Sequence, residues 1–277
     1  DNTRQRNALM SWLSLTDKVE VMTFGTPSAP SDFTERYPIR SFPQMEYISG
    51  MPTVNAMFDL ANKRASNPFV CFINADILLG IDFVSALQNI PLELFIMIGQ
   101  RWDTDWLGDI EAPDPEEVAL ARKNATQTGG LRGKGGAMDY FACPKGTTLS
   151  LPSLVPGGTI WDNYMVYYCR QNRIPVVDAT SQVLAVHQNH EYARVAEGKK
   201  IISHGPAAQH NYNVAYEQDP MSVRFPLGCK NAHYLLTNST LKLSWTKLSH
   251  LIPRLKARCL YILGHWMPKV MKPKKLS

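Results

Sequence analysis

Two short segments of the chain, Phe69–Ile73 and residues 92–98, are almost uninterrupted runs of apolar side chains. A strand with one face in water alternates apolar and polar residues, whereas a strand covered on both faces is apolar throughout. Helical periodicity precedes the first segment in residues 51–65, where Pro52 suits the first turn, and separates the two segments in residues 83–90. This alternation predicts an α/β fold, in which crossover helices cover a mostly parallel central sheet.

The same alternation continues on both sides of these segments. Helices are predicted at residues 7–15 and 161–172, and strands at 18–25, at 43–48 and in the sequences IPVVDA and QVLAVH. Residues 104–135 are polar, hold two prolines and end in GGLRGKGG, so they are interpreted either as a surface loop or as a mobile lid. Because the pattern weakens after about residue 190, we expect a domain at 1–195 and an extension at 196–277.

The composition is that of a globular chain, since 44% of the 277 residues are apolar and 19% are charged. No apolar run approaches the roughly 18 residues that a membrane-spanning helix needs. The five cysteines are scattered and odd in number. They argue against a disulfide framework and for a reducing compartment, so a cytoplasmic location is expected.

The net charge of +5 is unevenly distributed. Nine of the 29 Lys and Arg residues and no acid lie in residues 242–277, which leaves 20 basic against 24 acidic residues before them. Such a mildly acidic body argues against a nucleic-acid enzyme, whose basic groups surround its site. The tail is interpreted either as a peripheral contact with the anionic inner face of a membrane or as a helix packed on its own domain.

Polar side chains follow the apolar strand at Phe69–Ile73 directly, in the sequence Asn74-Ala75-Asp76. Ligands of open α/β sheets bind beyond the carboxyl ends of the strands. Carboxylate and amide oxygens suit a hard divalent cation that also binds phosphate oxygens, so this position suits a metal–diphosphate. The structural alternative is that Asp76 caps the turn that follows the strand.

Four further sequence blocks accompany the N-A-D sequence: RNALMSWLSL, FIMIGQRWD, GAMDYFACPKG and the long block that runs from WDNYMVYYCRQNRIPVVDAT to AVHQNHEY. In this order they resemble glycosyltransferase-like proteins of the Rossmann-like GT-A fold, related to family 2 enzymes, over residues 4–195. The resemblance implies a nucleotide-sugar donor, a glycan or other hydroxyl acceptor as in polysaccharide biosynthesis, and Mn²⁺ or Mg²⁺. It also implies a strand ahead of RNALMSWLSL.

The resemblance implies roles for the residues of these blocks. Asp76 matches the last acid of the family's Asp-x-Asp sequence and is the expected metal ligand. Asn74 matches the first position, which meets the ribose or the metal; an amide there offers an oxygen but no charge. His187 or His190, after the strand QVLAVH, is expected as a further metal ligand, whereas the structural alternative is hydrogen bonding to the sheet.

The general base is expected at Asp162, near the start of a predicted helix in GGTIWDNY. The family resemblance places a carboxylate there that deprotonates the acceptor hydroxyl, as general-base catalysis requires. The structural alternative is that Asp162 interacts with the free N–H groups and the dipole of the helix start. Asp139, which interrupts an apolar strand in GAMDYF, is the second candidate because a buried acid is costly unless it is paired or functional.

Arg101 and Asp103 in GQRWD are predicted to follow the end of another strand. Arg101 either neutralises a leaving diphosphate or pairs with a nearby acid, and both interpretations stay open. Gly25, at the end of the first predicted strand, is expected near the nucleotide. Arg132 and Lys134 of the predicted lid are candidates for phosphate contacts on closure.

The sequence thus favours an inverting, metal-assisted glycosyltransferase that moves a sugar from a nucleotide diphosphate sugar to a hydroxyl. One alternative is a catalytically inactive module of the same fold that binds a glycan or a partner. The other is a nucleotidyltransferase on a Rossmann-like sheet. A Gly-rich basic loop near the N-terminus is expected for that class, and TFGTPSAPSDF contains no Lys or Arg.

Overall fold

The computed structural model describes residues 2–25, 35–106, 108–131, 137–189 and 203–244. The helices are α1 (Asn2–Leu13), α2 (Val54–Arg64), α3 (Ile81–Gln88), α4 (Pro115–Ala125), α5 (Trp161–Gln171), α6 (Pro206–Gln218) and α7 (Pro220–Arg224), with a 3₁₀ turn at Cys229–Asn231. The strands are β1 (Val21–Phe24), β2 (Ile39–Phe42), β3 (Tyr47–Ile48), β4 (Met51–Pro52), β5 (Phe69–Ile73), β6 (Ile77–Leu78), β7 (Ile96–Thr104), β8 (Gly129–Leu131), β9 (Met138–Pro144), β10 (Val176–Asp178), β11 (Ala185–Gln188), β12 (Tyr234–Thr237) and β13 (Thr240–Leu243).

The central sheet of the described chain contains the nine strands β5–β13 and is mixed. The long strand β7 is parallel to β10 and to β11, and it is antiparallel to β8 and to β9. Strand β5 pairs antiparallel with β9, while β1 and β2 form a separate parallel pair. The predicted α/β class is confirmed, whereas the predicted mostly parallel sheet is a mixed one because β9 lies antiparallel between β5 and β7.

Both faces of the central strands are covered, which explains their uninterrupted apolar sequence. Along β7, Ile96 and Ile98 pack in the cluster that includes residues of α2 and α5, and Met97 packs in the cluster that includes α3. The side chains of β9 alternate in the same way: Phe141 packs in the same cluster as Ile96 and Ile98, and Tyr140 packs in the same cluster as Met97. Alternate side chains of a strand point to opposite faces, so each strand needs apolar residues at every position.

The boundaries of several elements differ from those predicted. The strand expected at residues 92–98 begins at Ile96 and continues to Thr104. Pro52 lies in β4 rather than in the first turn of α2, for which Thr53 is the N-cap. The segment 104–135 is not simply a loop, because it contains α4 and β8. The cause is local: the Asp114 side chain accepts a hydrogen bond from the Glu116 N–H (2.8 Å), and proline suits the first position of α4.

The segment after residue 190 also contains regular structure. Strand β12 pairs in parallel with β10, and β13 pairs with β12, so the central sheet continues past the domain boundary expected at residue 195. Among the described residues, no helix has both the length and the apolar character to cross a membrane. Of the basic tail at residues 242–277, Lys242 and Leu243 belong to β13, whereas residues 245–277 lie outside the described residues.

Gly99 of β7 lies where β7 and β9 shift register, between Ile98 and Gln100. A Cβ at this position would come within 2.0 Å of the hydroxyl oxygen of the fully buried Tyr140. We expect Gly99→Ala to lower the free energy of unfolding by about 1–3 kcal/mol, the usual cost of overpacking. Urea unfolding measures this change. Gly130→Ala in β8, where a Cβ meets nothing within 4 Å, is the matched control and should change stability by much less.

Candidate active site

Several strands of the central sheet bring polar side chains to one place. Asn74 and Asp76 follow β5 directly, and the N–H of Asn74 donates to the carbonyl oxygen of Asp139 at the start of β9 (3.0 Å). His187 of β11 lies opposite Asp103 of β7 and opposite Ile77 of β6, the residue after Asp76. We call these side chains the strand-end cluster; its members are Asn74, Asp76, Arg101, Asp103, Asp139 and His187.

Arg101 and Asp103 were predicted to follow a strand, and that prediction is wrong: both lie within β7. Residues two apart in a strand point to the same face, so these two side chains lie side by side. Arg101 Nε donates to Asp103 Oδ1 over 2.7 Å. Polar residues can lie inside β7 because charged partners on this face replace the water that their side chains would otherwise bind.

Arg101 also pairs with Asp139, through its Nη1 and the carboxylate Oδ2 (2.9 Å). The other oxygen of Asp139 accepts a hydrogen bond from Asn74 Nδ2 (2.6 Å). The side chains of Arg101 and Asp139 are only 8% and 9% exposed. Burial raises the pKa of Asp139, although the positive charge of Arg101 opposes this. Both oxygens of Asp139 are thus engaged inside the protein, which is the pairing expected of a structural acid.

His187 lies between two carboxylates. Its Nε2 is 3.3 Å from Asp76 Oδ2, and its Nδ1 is 3.1 Å from Asp103 Oδ1. Burial favours the neutral ring, but hydrogen bonding to Asp103 and Asp76 outweighs burial and raises the pKa of His187 to about 9. The imidazole therefore carries a proton on each nitrogen at neutral pH. This arrangement matches the structural alternative, in which the histidine ties β11 to its neighbours.

Asp162 lies in the first turn of α5, as its sequence predicted. The helix starts from Ile160, whose φ is +87°, and one carboxylate oxygen accepts a hydrogen bond from the Asn163 N–H (2.8 Å). Burial raises the pKa of Asp162 to about 7; the bond from Asn163 opposes this rise, and the charge of Asp139 adds to it. The carboxylate is thus coupled electrostatically to the strand-end cluster, through the charges of Asp139 and Arg101.

Two buried polar residues near the cluster were not singled out by the sequence. Asn7 of α1 donates from Nδ2 to Gln188 Oε1 (3.0 Å), and Gln188 Nε2 donates to the carbonyl oxygen of Asp76 (3.3 Å). The backbone N–H of Gln188 donates to the same carbonyl (3.2 Å). These bonds hold the backbone of Asp76 in place. No local pattern identifies them, because Asn7 and Gln188 are 181 residues apart in the chain.

Four other residues were predicted to belong to the site. Gly25 follows β1 with a φ of +97°, and its N–H donates to the carbonyl of Phe42, the last residue of β2 (3.5 Å). His190 lies outside the described residues, as do Arg132 and Lys134. Their predicted roles stay predictions.

The sequence predicted a metal site among these side chains. Among the residues that the structure describes, no group of three or more His, Cys, Asp or Glu side chains is arranged to hold a metal ion. In the absence of a cation, both nitrogens of His187 face carboxylates, which is the arrangement of a salt-bridged histidine. The expected roles of Asp76 and His187 as metal ligands stay predictions.

In comparisons with known proteins, no family model, no curated protein and no solved structure matches this chain.

Proposed function

We propose that the protein transfers a sugar from a nucleotide diphosphate sugar to a hydroxyl acceptor, with inversion at the anomeric carbon. The observation that carries this proposal is the placement of Asp162 at the start of α5, beside the strand-end cluster, with a pKa of about 7. A general base works best when its pKa lies near the working pH. The resemblance of the sequence blocks to the GT-A fold supports the proposal.

In the proposed reaction, the Asp162 carboxylate takes the proton of the acceptor hydroxyl. The acceptor oxygen forms a bond to the anomeric carbon from the face opposite the diphosphate. The bond between that carbon and the diphosphate oxygen breaks, and its electron pair leaves with the diphosphate. Asp139 is the weaker choice for the base, because both of its oxygens are already held by Arg101 and Asn74.

The charges of the cluster bear on an anionic donor because carboxylates repel a diphosphate. The two cationic side chains, Arg101 and the protonated His187, offset two of the three carboxylates with which they pair, those of Asp76, Asp103 and Asp139. We propose that this partial compensation lowers the repulsion that an incoming diphosphate meets. Asn74 also limits this repulsion, since an amide at the first position of N-A-D adds no negative charge.

A module that binds a nucleotide sugar or a glycan without turnover is the second candidate. The observation that favours it is the engagement of His187 by Asp76 and Asp103, which occupies the side chains expected to hold a catalytic metal. Turnover distinguishes the two candidates, because both of them predict ligand binding.

A thermal-shift series of nucleotide sugars and nucleoside diphosphates, with and without Mn²⁺ or Mg²⁺, tests the proposal. We expect one donor class to raise the melting temperature more with the cation than without it, and Asp76→Ala to abolish this cation-dependent increase, because Asp76 is the expected ligand of the cation. The matched control is Asp59→Ala on the exposed face of α2, which should bind like the parent protein. Unchanged calorimetric binding in Asp76→Ala would remove Asp76 from the donor site. A complete absence of donor binding would contradict both candidates.

A further inference from the structure

The turn that leads into α5, residues 155–159, is held by a side chain of α6. Asn211 is fully buried, and its polar atoms bond to the backbone of this turn. Its Oδ1 accepts a hydrogen bond from the Val155 N–H (2.8 Å), and its Nδ2 donates to the carbonyl oxygens of Val155 (2.8 Å) and Thr159 (3.1 Å). One amide thus uses its donors and its acceptor to tie the two ends of the turn together.

The backbone of α6 lies against the same turn. At Gly158, a Cβ would come within 2.5 Å of the backbone nitrogen of Ala208 in the first turn of α6. The neighbouring Gly157 has a φ of +83°, a conformation that glycine adopts without strain. The sequence assigned α6 to an extension outside the domain at 1–195, whereas these contacts place it beside the start of α5.

The residue after this turn, Ile160, has a strained backbone, because its φ of +87° lies in the region that favours glycine. A β-branched residue keeps such a conformation only where the surrounding structure holds it there. Asn211 holds the carbonyl of the preceding residue, Thr159, and the Ile160 carbonyl accepts a hydrogen bond from the Tyr164 N–H of α5 (2.7 Å). The strained residue therefore lies between Asn211 and the helical turn that carries Asp162.

We infer that Asn211 is a positioning residue for Asp162: it keeps Ile160 in its strained conformation and so fixes where the first turn of α5 presents the carboxylate. The inference rests on the proposed function, in which this carboxylate is the general base. A general base must lie within hydrogen-bond reach of the proton that it takes. A displacement of about 1 Å can lower the rate by about 10²-fold. Asn211 acts on the base through the backbone and is not itself a catalytic residue.

Replacing Asn211 by leucine in the full chain tests the inference, because leucine keeps the branched shape and loses the hydrogen bonds to the turn. Two readouts are followed: the acid dissociation constant of Asp162, from carboxyl ¹³C NMR assigned with Asp162→Asn, and the turnover of the proposed transfer. Burial raises the pKa of Asp162, so a displaced and better solvated carboxyl should have a dissociation constant about tenfold larger. Turnover should fall about 10²-fold while calorimetric donor affinity stays within about twofold.

Two further variants separate the position of Asp162 from a general weakening of α6. Ser222→Ala removes a buried hydroxyl of α7 that donates to the Ala215 carbonyl of α6 (3.0 Å), so it should lower stability and leave both readouts unchanged. Gly158→Ala forces the turn and α6 apart, so it should change both readouts in the same direction as Asn211→Leu. It also supplies the test if Asn211→Leu does not fold.

Adding Ile160→Gly to Asn211→Leu distinguishes positioning from a merely structural role. Glycine keeps a positive φ without strain, so the start of α5 no longer needs Asn211 to hold it. We expect the double variant to regain a dissociation constant of Asp162 within about threefold of the parent value, together with part of the turnover. A double variant that resembles Asn211→Leu in both readouts would contradict the role of Ile160 and overturn the inference.

The dissociation constant of Asp162 keeps this inference separate from the proposed function. An unchanged constant in folded Asn211→Leu, or an equal change in Ser222→Ala, would overturn the inference whether or not the protein is a transferase. A changed constant with undiminished turnover would also overturn it, because the base would then not need this position. If the parent protein gives no turnover with any donor, the proposed function fails, and the constants alone decide whether Asn211 holds the carboxylate.

Discussion

Replacing Asp162 by asparagine is expected to lower the turnover of the proposed glycosyl transfer by about 10²–10⁴-fold, the usual contribution of a general base. Asparagine keeps the size of the side chain and can still accept the hydrogen bond from the Asn163 N–H. Donor affinity should therefore stay within about twofold, since the base acts on the acceptor. Initial rates, together with calorimetric binding of the donor, measure the two effects separately.

The comparison with Asp139→Asn decides which acid is the base. If Asp139→Asn abolishes turnover in a folded protein while Asp162→Asn retains it, the two roles are exchanged. If both variants keep full activity, the proposed mechanism is wrong. If donors bind and no acceptor gives turnover with the parent protein, the binding module becomes the better description.

Asp162→Asn should also change how the free energy of unfolding depends on pH. Burial raises the pKa of Asp162 from 3.8 to about 7 on folding, so the folded chain binds the proton more tightly than the unfolded chain. The contribution of Asp162 to the free energy of unfolding should accordingly decrease as the pH rises from about 4 to about 7, by on the order of 3 kcal/mol, and then level off. Asp162→Asn removes this decrease, so the variant should be more stable than the parent protein at pH 8. Urea unfolding at pH 4, 6 and 8 tests this, and parallel curves would contradict the buried position of the acid.

Replacing Arg101 by methionine is expected to lower the free energy of unfolding by about 3–5 kcal/mol. Arg101 holds both Asp103 and Asp139, and its removal leaves the buried carboxylate of Asp139 without its cationic partner. Leaving a buried charge uncompensated costs far more than losing an exposed ion pair. Chemical unfolding of the variant at neutral pH measures the loss.

Two controls separate the buried charge from the loss of the arginine side chain. Arg6→Met breaks an ion pair with Asp109 whose partners are 41% and 57% exposed, and it should cost less than about 1 kcal/mol. Adding Asp139→Leu to Arg101→Met removes the stranded acid, so much of the lost stability should return. A double variant that is less stable than Arg101→Met alone would show that packing, and not charge, dominates.

The sequence by itself determined the layered α/β architecture and the place where polar residues meet the sheet. The apolar run at Phe69–Ile73 coincides with β5, and α5 begins at Trp161 with Asp162 in its first turn. These predictions succeeded because side-chain periodicity is set by geometry within a few residues of chain. The position of Asn74 and Asp76 after β5 followed from the same local pattern.

Only the tertiary structure decided what the polar residues do to one another. Arg101 and Asp103 had the sequence of a strand end, but partners on β9 and β11 keep them inside β7. His187 had the sequence of a strand-end histidine, and the fold places it between the carboxylates of Asp76 and Asp103, which raise its pKa. The weakly patterned segment after residue 190 supplies β12 to the central sheet. The physical reason is common to all three: charge state and strand pairing depend on residues that lie far apart in the chain and meet only when the sheet forms.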